Sequence, residues 1–145
     1  MRTQLPVSSW RSVGHSVNAF FIEGLVDELA RAAKHDPLEV RRKMLPASSR
    51  ARRVLDAVAD IAKWGSRSPG IGRGMARHQS FESDGAQVVD VEIVNGRIKV
   101  RRVWAAVDCG IVVNPDIVRA QVECQTGSFS CSAISRASRR RTPIG

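Results

Sequence analysis

Residues Gln87 to Glu123, QVVDVEIVNGRIKVRRVWAAVDCGIVVNPDIVRAQVE, decide how the rest of the 145-residue chain is read. From Gln87 to Val94 apolar and polar residues alternate, with Val89, Val91 and Ile93 on one face. Asn95-Gly96 supplies the two positive-φ positions of a type I′ turn, and Arg97 to Val107 returns with β-branched residues, so the pair predicts an antiparallel hairpin. The second strand empties through Val107-Asp108-Cys109-Gly110 towards Asn114-Pro115 and a short helix over Asp116 to Glu123. Gly110 ends the strand, Asn114 caps the helix, and Pro115 fits its first turn, where no N–H partner is needed. A strand that passes through Asp, Gly and Asn to a helix start sets backbone donors and a carboxylate at a sheet edge, a frequent ligand position.

Working back from the hairpin, Glu82 to Ala86 reads as a polar turn, Met75 to Phe81 as a preceding strand, and Ser66 to Gly74 as a Gly/Ser/Arg-rich linker. The run Gly70-Ile71-Gly72-Arg73-Gly74 has neither dinucleotide spacing nor a Walker lysine, which favours a linker over a phosphate loop. Three helices are predicted upstream. In the first, from Ser16 or Val17 to about Lys34, Phe21, Leu25, Leu29 and Ala32 recur at helical spacing, flanked by Phe20, Ile22 and Val26. Asp36-Pro37-Leu38-Glu39 starts the second, with Asp as cap, Pro at the first position and Glu at the third, and it stops before Pro46. The third runs from about Ser49 to Trp64, buries Val54, Leu55, Val58, Ile61 and Ala62, and ends at Gly65. The fold class is therefore α+β, with helices first and an antiparallel hairpin leading into a short helix.

Composition narrows the function classes. The net charge of +9 rests on 19 Arg and 4 Lys, but four of those arginines (136, 139, 140, 141) lie in an acid-free tail from Cys124. With no Tyr, no aromatic interleaving and no zinc-finger spacing, nucleic-acid binding is disfavoured. The retained alternative is a small basic module that binds nucleic acid or an acidic partner through that tail. Cys109, Cys124 and Cys131 form no CxxC pair, and His15, His35 and His78 fall on three different elements, so neither zinc ligation nor a nucleophile–base pair is predicted from spacing. No apolar run approaches the roughly 18 residues of a membrane span. Localisation is left open.

Six ordered motifs carry a family resemblance: Trp10-Arg11-Ser12-Val13-Gly14, the helix Glu23 to Ala30, Asp36-Pro37 followed by Arg41, Trp64-Gly65, Val107-Asp108-Cys109-Gly110, and Asn114-Pro115 with Gln121-Val122-Glu123. Over Leu5 to Glu123 the chain resembles the molybdopterin-binding large subunit of the xanthine dehydrogenase and aldehyde oxidase family, in the branch that holds the isoquinoline 1-oxidoreductase β-subunit. The resemblance implies a molybdenum hydroxylase: a molybdopterin cofactor, an aldehyde or N-heterocycle as substrate, and a 2Fe-2S small subunit as electron-accepting partner. It places Arg11, Ser12, Val13 and Gly14 in a loop beside the metal centre, and Asp108, Gly110, Asn114 and Gln121 in a later motif near the cofactor.

The resemblance also implies what to expect of the chain as a piece. The family's glutamate base, in a Gly-Glu motif, has no counterpart, and the upstream cofactor-binding half is missing, so residues 1–123 are expected to be a fragment of the second cofactor-binding domain, inactive and cofactor-free alone. After Glu123 the family continues with glycines and an apolar helix, where this chain reads Cys124-Gln125-Thr126-Gly127-Ser128-Phe129. Codons for Gln-Thr-Gly-Ser-Phe, read two bases later, can spell Asp-Gly-Ile-Val-Phe. Residues 124–145 are therefore expected to be an out-of-frame, disordered tail.

Overall fold

A computed structural model describes residues 12–66 and 68–127, in the order α1 (His15–Ala32), α2 (Pro37–Met44), α3 (Arg50–Ala62), β1 (Gly72–Ser80), β2 (Ser83–Val94), β3 (Arg97–Asp108) and α4 (Pro115–Gly127). The strands form one antiparallel sheet in the order β1-β2-β3. The class is α+β, as the sequence predicts. The Asn95-Gly96 turn has φ of 52° and 73°, the signature of the type I′ geometry that matches strand twist.

The other hairpin differs from expectation. β1 begins at Gly72 rather than Met75, and the turn is only Phe81-Glu82, so Ser83 to Ala86 belong to β2. Both turn residues have positive φ, 46° and 61°, without a glycine between them. The pairing of Ser80 with Ser83 and of His78 with Gly85 imposes this conformation, and sheet hydrogen bonding outweighs the local preference.

α3 seats on one face of the sheet. Leu55 and Val58 meet Val88, with Met75, Ala86, Leu38 and Ala62 completing a dry core edged by Trp64 and Trp104. Ser49 caps the start of α3, its hydroxyl accepting from the Arg52 amide at 3.1 Å. The helix ends two residues before Gly65, at Lys63 (φ 50°), where the Lys63 amide donates to Asp60 and the Trp64 amide to Ala59. That double closure satisfies the last carbonyls and turns Trp64 onto the core, so the chain tolerates a lysine where glycine is usual. Arg73 reinforces the same end. It donates to the carbonyls of Ala62, Lys63 and Ser66 and forms a bidentate pair with buried Asp90.

α1 is attached otherwise. Its inward face carries Ala19, Glu23, Val26, Asp27 and Ala30, while Phe21, Leu25 and Leu29, predicted as the core face, stay more than half exposed. Ile61 on α3 is likewise 45% exposed. The cause of the α1 orientation is polar. Arg41 on α2 is buried and donates to Glu23 at 2.8 Å, and Glu23 also accepts the Arg77 amide at 2.9 Å on the free edge of β1. Arg41 lies 2.8 Å from Asp27 Oδ1 as well, an ion pair without hydrogen-bond alignment. A buried guanidinium demands carboxylates, and a strand edge demands acceptors, so α1 presents its acids inward.

Asp36 caps α2 through the Leu38 and Glu39 amides and also accepts the Trp64 indole at 2.9 Å. Glu39 does not turn back on the cap as a capping box requires; it pairs with Arg42. α4 continues past Glu123 to Gly127. Residues 128–145, which hold most of the Arg-rich tail, lie outside the described residues.

Candidate functional site

The two motifs expected to face a cofactor come to the same end of the sheet. β1 ends, β2 begins and β3 ends there: His78 pairs with Gly85, Gly85 with Val107, and Asp84 with Asp108. Ser12-Val13-Gly14 reaches this end through His15, the first residue of α1, whose Nδ1 lies 3.1 Å from His78 Nε2 and whose ring packs on Phe81 at 5.1 Å. Two strand spacings, roughly 10 Å, separate the β1 position of His78 from β3.

Within the first loop, Arg11 and Trp10 lie outside the described residues. Ser12 and Val13 have positive φ, 76° and 50°. Gly14 does not: it is the N-cap of α1 with φ of −82°, and a Cβ there would meet Asn18 only at 3.6 Å. The loop's unusual backbone thus sits on Ser12 and Val13 rather than on the glycine. α1 also starts without a side-chain cap among the described residues, whereas α2, α3 and α4 are capped by Asp36, Ser49 and Asn114. Its first turn carries no acid, so its amide donors face no local carboxylate.

The second motif is engaged within the fold. Asp108 accepts from Arg50 at 2.8 Å and from the Gly110 amide at 3.0 Å, and Gly110 takes φ of 79° to close that turn. The Arg50 hydrogen bond, with the Gly110 amide, holds the Asp108 carboxyl below the usual aspartate range. Arg50 also donates to the Asp108 carbonyl, so the start of α3 is tied to the end of β3. Asn114 caps α4 through the Asp116 and Ile117 amides. Gln121 lies about two turns past Asn114, exposed, on a helix that makes at most marginal contact with the other described elements. The structure therefore brings Ser12–Gly14 and Asp108–Gly110 to the same end of the sheet and places Gln121 on α4.

Sequence reasoning missed the His15–His78 pair. Sixty-three residues separate the two, and no spacing rule joins a helix start to a strand end. Burial, His15 and the neighbouring Arg77 push the His78 pKa below its ordinary 6.5, with Glu23 opposing. Sequence reasoning also missed the acid–base cluster of Asp84, Arg77, Asp108, Arg50 and Arg53, which forms only when β2 and β3 register Asp84 beside Asp108.

No cluster of His, Cys, Asp or Glu among the described residues fits a metal ion. Among the described residues, Cys109 is a free, half-buried thiol. Shallow clefts of about 370 and 270 Å³ both border Trp64, and neither is lined by a residue of the two motifs. No helix among the described residues is long and apolar enough to cross a membrane. The donors present can serve one wall of an anionic cofactor's site, through the uncapped start of α1, but they do not enclose it.

Residues 22–126 match the family model of the molybdopterin cofactor-binding domain. The chain is 37% identical over 128 residues to the β-subunit of isoquinoline 1-oxidoreductase from Brevundimonas diminuta, covering 84% of this chain and 16% of that protein. It is 36% identical over 141 residues to a nicotinate dehydrogenase subunit from Pseudomonas putida, covering 83% of this chain and 12% of that protein. The chain thus spans less than a fifth of the length of these relatives. With the family model matched from within α1 through α4, the chain belongs to the molybdopterin cofactor-binding domain family.

Proposed function

We propose that the chain is one part of the cofactor-binding large subunit of a molybdenum hydroxylase, an oxidoreductase that hydroxylates an electron-poor carbon with water as the oxygen source. The match of residues 22–126 to the cofactor-binding family carries this reading. Both named relatives take their names from N-heteroaromatic compounds, which favours an N-heterocycle over an aldehyde as substrate class. Both are also named as single subunits, which supports a partner subunit here; an electron-accepting 2Fe-2S protein suits an oxidation of this kind.

The bound cofactor supplies the oxygen-transfer and electron-accepting chemistry. This chain's share is positional. The Ser12-Val13-Gly14 loop and the uncapped start of α1 direct backbone donors towards an anionic group, with Arg11 beside them in sequence. Asp108, held by Arg50 and Gly110, fixes β3 against α3 and so sets the direction in which the 109–114 loop leaves the sheet. Asn114 and Gly110 shape that loop, and Gln121 follows on α4. Asp108 therefore acts by positioning, since Arg50 and the Gly110 amide share its Oδ1. On this reading the chain by itself binds no cofactor and turns over no substrate.

A substitution at Gly14 separates cofactor contact from helix stability. Grafted in place of the matching segment of the Brevundimonas protein, the chain is expected to yield a subunit that retains molybdenum, measured by metal analysis. Gly14→Asp is accommodated by the helical φ/ψ of Gly14, and its charge at the helix start favours α1 by roughly 0.3 kcal/mol, yet it places a carboxylate where an anionic cofactor would approach. Molybdenum content is expected to fall about tenfold, equivalent to ~1.4 kcal/mol of binding, without loss of folding. Unchanged metal content in the Gly14→Asp graft would remove the loop from the cofactor site.

A further inference from the structure

Two unrelated elements carry apolar rows on the side away from the core. On α1, Val17, Phe21, Leu25 and Leu29 form an i, i+4 ridge, flanked by Phe20 and Ile22, with Phe20 75% and Leu29 58% exposed. On β2, the buried side holds Asp84, Ala86, Val88 and Asp90, while Val89, Val91 and Ile93 face the side without α3. Neither face is closed by the described residues: a Cβ added at Gly24 on α1, or at Gly74 opposite Val89, would meet nothing within 4 Å. On α1 the acids are half-buried while larger apolar side chains are exposed; on β2 Asp84 and Asp90 share the buried side with Ala86 and Val88, and on the other side Val89 and Val91 are half-buried and Ile93 is exposed. Glu23 and Asp27 answer Arg41; Asp84 answers Arg77; Asp90 answers Arg73. Isolated exposed apolar residues are ordinary, but contiguous faces on periodic elements mark contact surfaces.

We infer that these faces are docking surfaces for the remaining residues of a full-length subunit of this family, whose apolar elements complete the core on the outer side of α1 and on the second face of the sheet. Most of each relative, 84% and 88% of its length, lies outside the region matched by this chain, ample chain to supply the cover. A second copy of this chain fits less well. Besides the α1 ridge, the exposed pair Ile93 and Ile98 lies at the start of β3 and Ile111 beyond its end, roughly 30 Å apart, and one isologous contact covers only one such patch. Surrounding chain covers all of them. The occupant is thus apolar and helical or extended, and approaches α1 closely at Gly24, where no side chain stands in the way.

The inference rests on family membership and not on the proposed activity, so it is tested without turnover. Phe21→Glu and Leu25→Glu are introduced both in the isolated 145-residue chain and in the chain grafted into the Brevundimonas protein. In the isolated chain they are expected to leave the thermal midpoint within a degree or two and to raise solubility, because the ridge meets water. In the graft they are expected to lower the soluble yield about tenfold, because a buried charge replaces an apolar contact. Val89→Glu is expected to repeat the pattern from the second face. Equal destabilisation in both contexts would show that the ridge packs within this chain, and no effect in either would show an open surface. Sedimentation of the isolated chain as a dimer that Phe21→Glu dissolves would make the occupant a second copy. Each of these three results overturns the inference.

Discussion

α3 and α1 are both helices beside the same sheet, yet they are held by opposite means. α3 lies across the sheet on Leu55, Val58 and Ala62, with polar ties added at its start by Arg50 to Asp108, at its middle by Asp56 to Arg42 of α2, and at its end by Arg73 to the Ala62 carbonyl. α1 stands at the β1 edge on Glu23, Asp27 and the His15–His78 contact, with its large apolar residues outside. The difference shows that hydrophobic periodicity identifies a helix and its apolar face without identifying what that face meets. One buried arginine, Arg41, is enough to settle the orientation against six large apolar side chains, because an unpaired buried charge costs more than leaving those side chains at a surface that another element covers.

The sharpest way to break the comparison is at the α3 seat. Leu55→Ala removes a side chain with no exposed surface and is expected to lower stability by about 2–5 kcal/mol, read from denaturant unfolding. Arg41→Ala should rank next, at about 3 kcal/mol, since it leaves Glu23 half-partnered against the strand edge. Its signature is local: amide exchange should rise across α1 while α3 stays protected, and equal loss in both helices would mean that α1 and α3 share one cooperative core. Glu82→Gly relieves a positive-φ residue in the β1–β2 turn and is expected to stabilise by about 1 kcal/mol, seen as a higher unfolding midpoint.

The smallest effect is in pH dependence. His78 binds its proton less readily folded than unfolded, so below its ordinary 6.5 the unfolded state takes up more protons and stability falls as pH drops. His78→Gln is expected to flatten the midpoint between pH 7 and pH 5.5, and an unchanged slope would clear the histidine pair of any part in holding α1. Asp108 and Asp56 act in a lower window. Burial opposes ionisation of Asp56, but Arg42 and Arg52 outweigh it, and both carboxyls titrate below their ordinary value. Their contribution is complete above about pH 4 to 5 and is lost as pH falls through the depressed values.

Local chemistry made most elements legible. Asn95-Gly96 fixes its hairpin, and Asp36-Pro37, Ser49 and Asn114-Pro115 fix helix starts, because caps and positive-φ turns are decided within four residues. The Phe81-Glu82 turn was not legible, since its conformation comes from the Ser80–Ser83 and His78–Gly85 pairing and not from its own residues. In the candidate site the loops at Ser12–Gly14 and Asp108–Gly110 stand out in sequence, but their arrival at one end of the sheet, and the His15–His78 contact that ties α1 to β1 there, depend on strand order and on the side of β1 that α1 takes.

The sequence by itself thus determined the helices, the caps at Asp36 and Asn114, the second hairpin and the motifs that mark the molybdopterin cofactor-binding family, all of them short-range patterns or residue identities. Only the tertiary structure decided which faces are covered. Burial is a property of pairs of distant surfaces, and here ionic partners chose those pairs: Arg41 with Glu23 over the apolar stripe of α1, and Arg73 with Asp90 beside Val88 on the buried side of β2.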